Sequence, residues 1–320
     1  MGSTVLPLVR CSFTVVTVVT IDVDVDIVTY LRACLMETAM SNSASAPELL
    51  TGGFVFAEGP RWHEDKLWLS DMHGESVWTV ELSGQRELVV DLPGRRPSGL
   101  GFLPNGDLLI VSMLERQLLR WNGSELGVHA DVSALIPSGC NDMVVDGDGR
   151  AYVGSFPPPS SPEGQIVLVE PDGTARLAAD DVVFPNGTVI TPDGTKLIVA
   201  ESLGRRLTEF ALSADGSLTD RRMYADCPGR GPDGICLDEE GAIWAAMPLA
   251  RQFQRILPGG AIANSITVDE RMAIACALGG PDRTTLFLLT ANDHAPEALR
   301  GTRDSQIHIM TVPVAGAGLP

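Results

Sequence analysis

The sequence predicts an all-β fold, a six-bladed β-propeller, on three observations. A polar residue followed by a short apolar strand recurs at Glu58, Ser98, Asn141, Asn186 and Asp233 and, in weaker form, at Arg271. Successive intervals are 40, 43, 45, 47 and 38 residues, the length of a propeller blade when strands rather than helices fill it. Within the intervals, Gly-containing turn signals separate further apolar strands.

The elements follow in order. Residues 1–48 stand outside the repeat. Their apolar run from Cys11 to Ile21 falls short of the roughly 20 residues of a spanning helix, and it is followed by Asp22-Val-Asp-Val-Asp. With no small-x-small cleavage site close behind, it does not read as a signal peptide. This extension is expected to be disordered, or to lie upstream of a start at Met40, which makes the cytoplasm the expected location.

Residues 49–316 carry the propeller, with 317–320 as a tail. The segment Leu49 to Phe56 is expected to close the ring by pairing with the last blade. Second strands are expected at Leu108–Ser112, Ala151–Ser155 and Lys196–Ala200, after the turns Asn105-Gly106, Asp148-Gly149 and Asp193-Gly194. Both positions of such dipeptides tolerate positive φ, which suits hairpins. Third strands are expected at Ser76–Val80, Gln117–Trp121, Gln165–Val169, Arg206–Phe210, Gln252–Ile256 and Gln306–Met310.

Innermost strands of a propeller line a central channel, so equivalent positions of different blades face one another. Glu58, Asn141, Asn186 and Asp233 are therefore expected to converge at the axis. Two carboxylates and two amides offer only hard oxygen ligands, which suit one divalent ion: Ca²⁺ first, with Zn²⁺, Mg²⁺ or Mn²⁺ as alternatives. The competing reading makes them ordinary turn residues, since Asn-Gly and Asp-Gly are common in loops.

Charge narrows the partners. With 41 acidic and 23 basic residues, a net charge of −18 and no basic run, the chain is not built for nucleic acid. Six cysteines (11, 34, 140, 227, 236 and 276) include no C-x-x-C pair and read as reduced thiols. Cys140 adjoins Asn141, but no motif supplies the base that a nucleophilic cysteine needs. His63, His73 and His294 fall in loops or strand ends. The five tryptophans read as packing between blades. The loop Phe156 to Gly164, rich in proline, either covers the pocket or is a long surface connection.

The strings Ala57-Glu-Gly-Pro-Arg-Trp, Asn141-Asp, Pro185-Asn-Gly and Pro232-Asp-Gly-Ile-Cys-Leu-Asp resemble the SMP-30/gluconolactonase/luciferin-regenerating-enzyme-like family, from about Leu50 to about Val314. The resemblance implies a six-bladed propeller with one catalytic divalent metal held by Glu58, Asn186 and Asp233, and Asn141 contacting substrate. It implies hydrolytic opening of a lactone, a sugar lactone or a related small one, with the metal as Lewis acid and Asp233 as general base. Small-molecule lactones are then the expected partners, with no nucleic acid and no membrane.

One departure weighs on the substrate. Animal sugar-lactonase members carry an arginine two residues before the position of Asn141, where this chain has Gly139. Arg230 is the candidate for a substitute positive group. Three alternatives stay open: a phosphotriester-type hydrolase in which Asp233 attacks phosphorus, a strictosidine-synthase-like enzyme, and a non-catalytic propeller that binds protein by its rim.

Overall fold

The computed structural model describes residues 46–229 and 231–317. Six antiparallel four-stranded sheets are arranged as the blades of a propeller. The inner strands are Ala57–His63, Pro97–Phe102, Gly139–Val145, Pro185–Ile190, Ile235–Leu237 and Met272–Gly279, so Glu58, Ser98, Asn141 and Asn186 lie near the head of one and Asp233 two residues before one. The second and third strands lie where the apolar runs placed them, for example Leu108–Ser112 and Gln117–Trp121 in blade 2. Each of blades 1 to 5 adds an outer strand, such as Arg86–Asp91 or Leu126–Asp131. These outer strands carry no clear apolar run because most of their side chains meet solvent.

Blade 6 takes its outermost strand from the other end of the chain. Glu48–Phe54 pairs antiparallel with Ser305–Thr311, with Glu48 opposite Ile309 and Phe54 opposite Ser305. Ring closure thus uses the segment expected for it, beginning one residue earlier. The rest of the 1–48 extension, up to residue 45, lies outside the described residues, as do Cys11, Cys34 and the 318–320 part of the tail.

The core lies between blades, where apolar faces of adjacent sheets interdigitate. Leu69, Ala275, Phe287 and Ile307 join blades 6 and 1, and Val111, Met143 and Val153 join blades 2 and 3. Tryptophans serve this packing. Trp62 stacks on Phe287 at 5.4 Å, and Trp244 is fully buried. A Cβ on Gly279 would stand 2.4 Å from Trp62, so only glycine lets the two strands approach.

The turns differ from expectation in mechanism. In Asn105-Gly106 and Asp193-Gly194 only the glycine takes positive φ, +87° and +67°. The Gly106 N–H bonds back to the Leu103 carbonyl, making a longer turn than a two-residue hairpin. The Asn105 and Asp193 side chains instead accept the N–H groups of Asp107 and Thr195. These are Asx-type bonds, which explains the residue choice without positive φ at the first position.

Candidate active site

The inner strands share a local device. Pairing with the second strand slips between Glu58 and Arg61, Pro97 and Leu100, Cys140 and Met143, Pro185 and Thr188, and Ala273 and Ala275. In these five blades a bulge near the head of the inner strand frees the slot residue from the ladder and redirects its side chain, and in blade 5 Asp233 stands ahead of the regularly paired strand Ile235–Leu237. Close packing at the axis needs a small neighbour. Gly59 takes φ +53°, and a Cβ there would come within 2.7 Å of the Ser98 carbonyl.

The sixth slot is filled by Ile274, which corrects the assignment of Arg271. Gly187 N–H donates to the Asp233 carbonyl, and in the next blade Gly234 N–H donates to the Ile274 carbonyl. Ile274 therefore occupies in blade 6 the place of Asp233 in blade 5. Arg271 lies off the channel, bonded to Thr290 and Asn292. The ring of slots thus reads Glu58, Ser98, Asn141, Asn186, Asp233 and Ile274.

Hydrogen bonds orient the polar members. Asn141 Nδ2 donates to the Pro185 carbonyl at 3.0 Å, tying blade 3 to blade 4 beside Asn186. Asn186 Nδ2 lies 3.2 Å from Ser202 Oγ, which itself donates to the Pro232 carbonyl at 2.7 Å. This relay brings Asn186 against Asp233, whose carboxylate its amide also contacts. Glu58 accepts the Gly59 N–H at 2.9 Å.

Two further residues, Arg61 and Asp142, lie inside the strings that carry the resemblance but were assigned no role from the sequence. Arg61 reaches from blade 1 to blade 3, placing Nη2 3.0 Å from the Asp142 carboxylate, with both side chains buried. Asp142 adds a third carboxylate near Glu58 and Asp233. Burial, then the charges of Asp233 and Asp142, hold Glu58 well above the usual carboxylate range. Burial, then Asp142, push Asp233 up to about 7, against the Asn186 hydrogen bond. Negative charge thus exceeds local positive charge at this point of the channel.

That surplus is what a divalent cation would offset, and the donor set of two carboxylates and two amides is chemically suited to one. Among the described residues no three His, Cys, Asp or Glu side chains assemble into a metal site, so the fit depends on the amide of Asn186 as an oxygen donor beside Glu58 and Asp233.

Other sequence candidates take minor places. Cys140 is buried and its thiol is pushed up to about 12, which leaves it inert as a nucleophile. Cys236 and Cys276 lie 3.7 Å apart as free thiols. His73 packs edge-on against Phe56 at 5.8 Å, and burial followed by the nearby Arg96 lowers its pKa. His63 stacks on Phe102 at 3.7 Å, and His294 is exposed. The proline-rich loop borders the mouth of the channel: Phe156 contacts Phe184 at 5.0 Å, and Phe184 N–H donates to the Pro162 carbonyl. Arg230 lies outside the described residues. A crevice lined by Lys196, Glu209, Arg222 and Tyr224 separates blades 4 and 5, but it contains no slot residue and its charges pair with one another.

Among the described residues no helix is long and apolar enough to cross a membrane. Comparison with known proteins agrees with the ring. The chain is 28% identical to a 6-deoxy-6-sulfogluconolactonase of Pseudomonas putida over 48% of this chain and 54% of that protein. It is 26% identical to the pentonolactonase XacC of Haloferax volcanii over 58% of this chain and 65% of that protein. It thus spans between 54% and 65% of the length of these relatives. A calcium-binding protein, regucalcin, from Agrobacterium tumefaciens shares the fold with a TM-score of 0.74 at 22% identity, covering 87% of this chain and 97% of that one. The sequence profile of the SMP-30/Gluconolactonase/LRE-like region matches residues 56–292. With the six-bladed ring, its slot residues and that match in hand, the chain belongs to the SMP-30/gluconolactonase/LRE-like family.

Proposed function

We propose that the chain is a divalent-metal-dependent lactonase acting in the central channel. The observation that carries this reading is the meeting of two half-buried carboxylates, Glu58 and Asp233, beside the amides of Asn141 and Asn186 at one repeated blade position. The lactonase relatives support the reaction class, and the calcium-binding structural relative makes Ca²⁺ the first cation to test.

Glu58, Asn186 and Asp233 would hold the cation, which when bound supplies Lewis acidity to the lactone carbonyl. Asn141, fixed by its bond to the Pro185 carbonyl, orients the substrate. Asp233 accepts a proton from water as the water oxygen bonds to the carbonyl carbon. The ring C–O bond then breaks, and the departing ring oxygen takes a proton to give a hydroxy acid, so one water is consumed per ring opened. Cys140 has no part in the step.

The test is protein stripped of metal, reloaded with single cations and assayed on γ- and δ-lactones and on a phosphotriester. Cation-dependent lactone hydrolysis is expected. Turnover of the phosphotriester alone would favour direct attack by Asp233, and no turnover of any substrate would favour a binding propeller.

A further inference from the structure

Four loops joining second to third strands are built alike. Each has four residues, 72–75, 113–116, 202–205 and 248–251, and the last of each (Glu75, Arg116, Arg205, Arg251) takes positive φ. Inner and second strands are antiparallel, so these loops lie at the end of the ring where inner strands begin. That end holds Glu58, Asn141, Asn186 and Asp233. Three of the loops are tied to it directly. Met72, Met113 and Ser202 donate their N–H groups to the carbonyls of Phe56, Arg96 and Phe184, each two residues before a slot.

The second residue of these loops is His73, Leu114, Leu203 or Leu249. The leucines are 54%, 47% and 81% exposed. Single exposed leucines need no explanation, but three at one repeated position around one opening do. Blade 3, whose loop is longer, brings Phe156, 42% exposed, against Phe184 at the same mouth. Phe184 takes φ +56°, a strained conformation for an aromatic residue, held by bonds to the Pro162 carbonyl and from the Ser202 N–H. Gly139, directly opposite Phe156 in the ladder, offers no side chain. Arg96 and His73 stand together on the side of blades 1 and 2, while each of the four loops ends in a charged residue, Glu75, Arg116, Arg205 or Arg251.

We infer that this rim selects lactones bearing an apolar alkyl or aryl substituent, the ring entering the channel and the substituent lying on Leu114, Phe156, Phe184, Leu203 and Leu249. The inference rests on the lactonase reading and names its substrate class. Removing apolar surface from water favours binding of the longer substituent, and each fully buried methylene is worth about fourfold in kcat/KM.

The experiment compares δ-valerolactone, δ-octalactone, δ-decalactone and δ-gluconolactone on the cation-loaded full chain, together with Phe156→Ser, Leu203→Ser and Leu249→Ser. Unchanged circular dichroism shows that a variant has folded, and the exposed Leu249 keeps one variant clear of the core. We expect kcat/KM to rise with the alkyl chain and δ-gluconolactone to be poorer than δ-decalactone. The variants should lose about tenfold or more on δ-decalactone and less than about twofold on δ-valerolactone. Hydrolysis of all four with no gain from the alkyl chain, or folded variants that lower both alkyl and unsubstituted lactones alike, would overturn the inference and leave the lactonase reading standing. No hydrolysis of any lactone would overturn both.

Discussion

The guanidinium of Arg61 in blade 1 stands 3.0 Å from the carboxylate of Asp142 in blade 3. Arg61 also donates to the Met143 and Pro60 carbonyls, so one side chain joins two inner strands of the ring. Arg61→Met strands Asp142 as a buried, unpaired charge and should cost about 3–5 kcal/mol in urea unfolding. The double variant Arg61→Met/Asp142→Asn should recover much of that. Additive losses in the cycle would show that the pair is not coupled.

A cation should raise the melting temperature of stripped protein, and pH should modulate the gain. Asp233 is held above its ordinary value of 3.8, at about 7. A carboxylate raised on folding contributes stability that is full below its unfolded pKa and is lost as pH rises through the folded one. Stripped protein should therefore lose stability between about pH 4 and 7 relative to an Asp233→Asn variant. Ca²⁺ should restore it in the parent only. A melting temperature independent of Ca²⁺ at pH 7 would remove the cation from this site.

Kinetics separate the roles of the two polar slots. Asp233→Asn should lower kcat by about 10²-fold or more, as loss of a general base does. Asn141→Ala should act mainly on KM while leaving the cation-induced thermal shift in place. Near-normal turnover in the Asp233 variant would put the chemistry elsewhere.

Glu201 tests the outer scaffold. Its buried carboxylate meets Arg206 at 2.8 Å and Arg221 at 3.1 Å, and also accepts from Thr208 and the Val183 N–H. Burial opposes ionisation, yet the Arg206, Thr208 and Val183 hydrogen bonds outweigh it and the pKa falls below 4.5. A lowered carboxylate contributes stability above its unfolded pKa and loses it as pH falls through the folded value. Glu201→Gln should cost about 3 kcal/mol at pH 7 and less below about pH 4. An equal cost at both pH values would show that charge is not what Glu201 contributes.

A chain starting at Met40 keeps the strand Glu48–Phe54 and should melt and turn over lactone as the full chain does. One starting at Val55 removes that strand from blade 6 and leaves an open sheet edge, so it should be insoluble. Equal melting of all three would show that ring closure contributes nothing to stability.

How much of this the sequence revealed depends on whether a feature repeats. Glu58, Asn141, Asn186 and Asp233 stood out because one blade position can be compared with five others. Ile274 did not, since an apolar residue in a slot looks like the strand around it, and Arg271 took its place. Arg61 and Asp142 stood within the strings that carry the resemblance, but they act as a pair across 81 positions of sequence, and nothing local marks that pairing. The rim leucines were equally hidden, because only loop geometry shows that Leu114, Leu203 and Leu249 are equivalents.

The sheet that closes the ring has a consequence for the order in which the protein can form. Ala57 N–H donates to Ser305 Oγ across 248 positions of sequence, beside the pairing of Glu48–Phe54 with Ser305–Thr311. Blades 1 to 5 are each assembled from neighbouring segments, so their contacts can form while synthesis proceeds. Blade 6 must wait for Thr311 to emerge, and until then Glu48–Phe54 has no partner and the ring is an open arc with bare strand edges. The final pairing then closes a loop of nearly the whole chain in one step, with most of its entropy already lost as the blades stack. Slow folding and vulnerability to aggregation should therefore concentrate in that single late event.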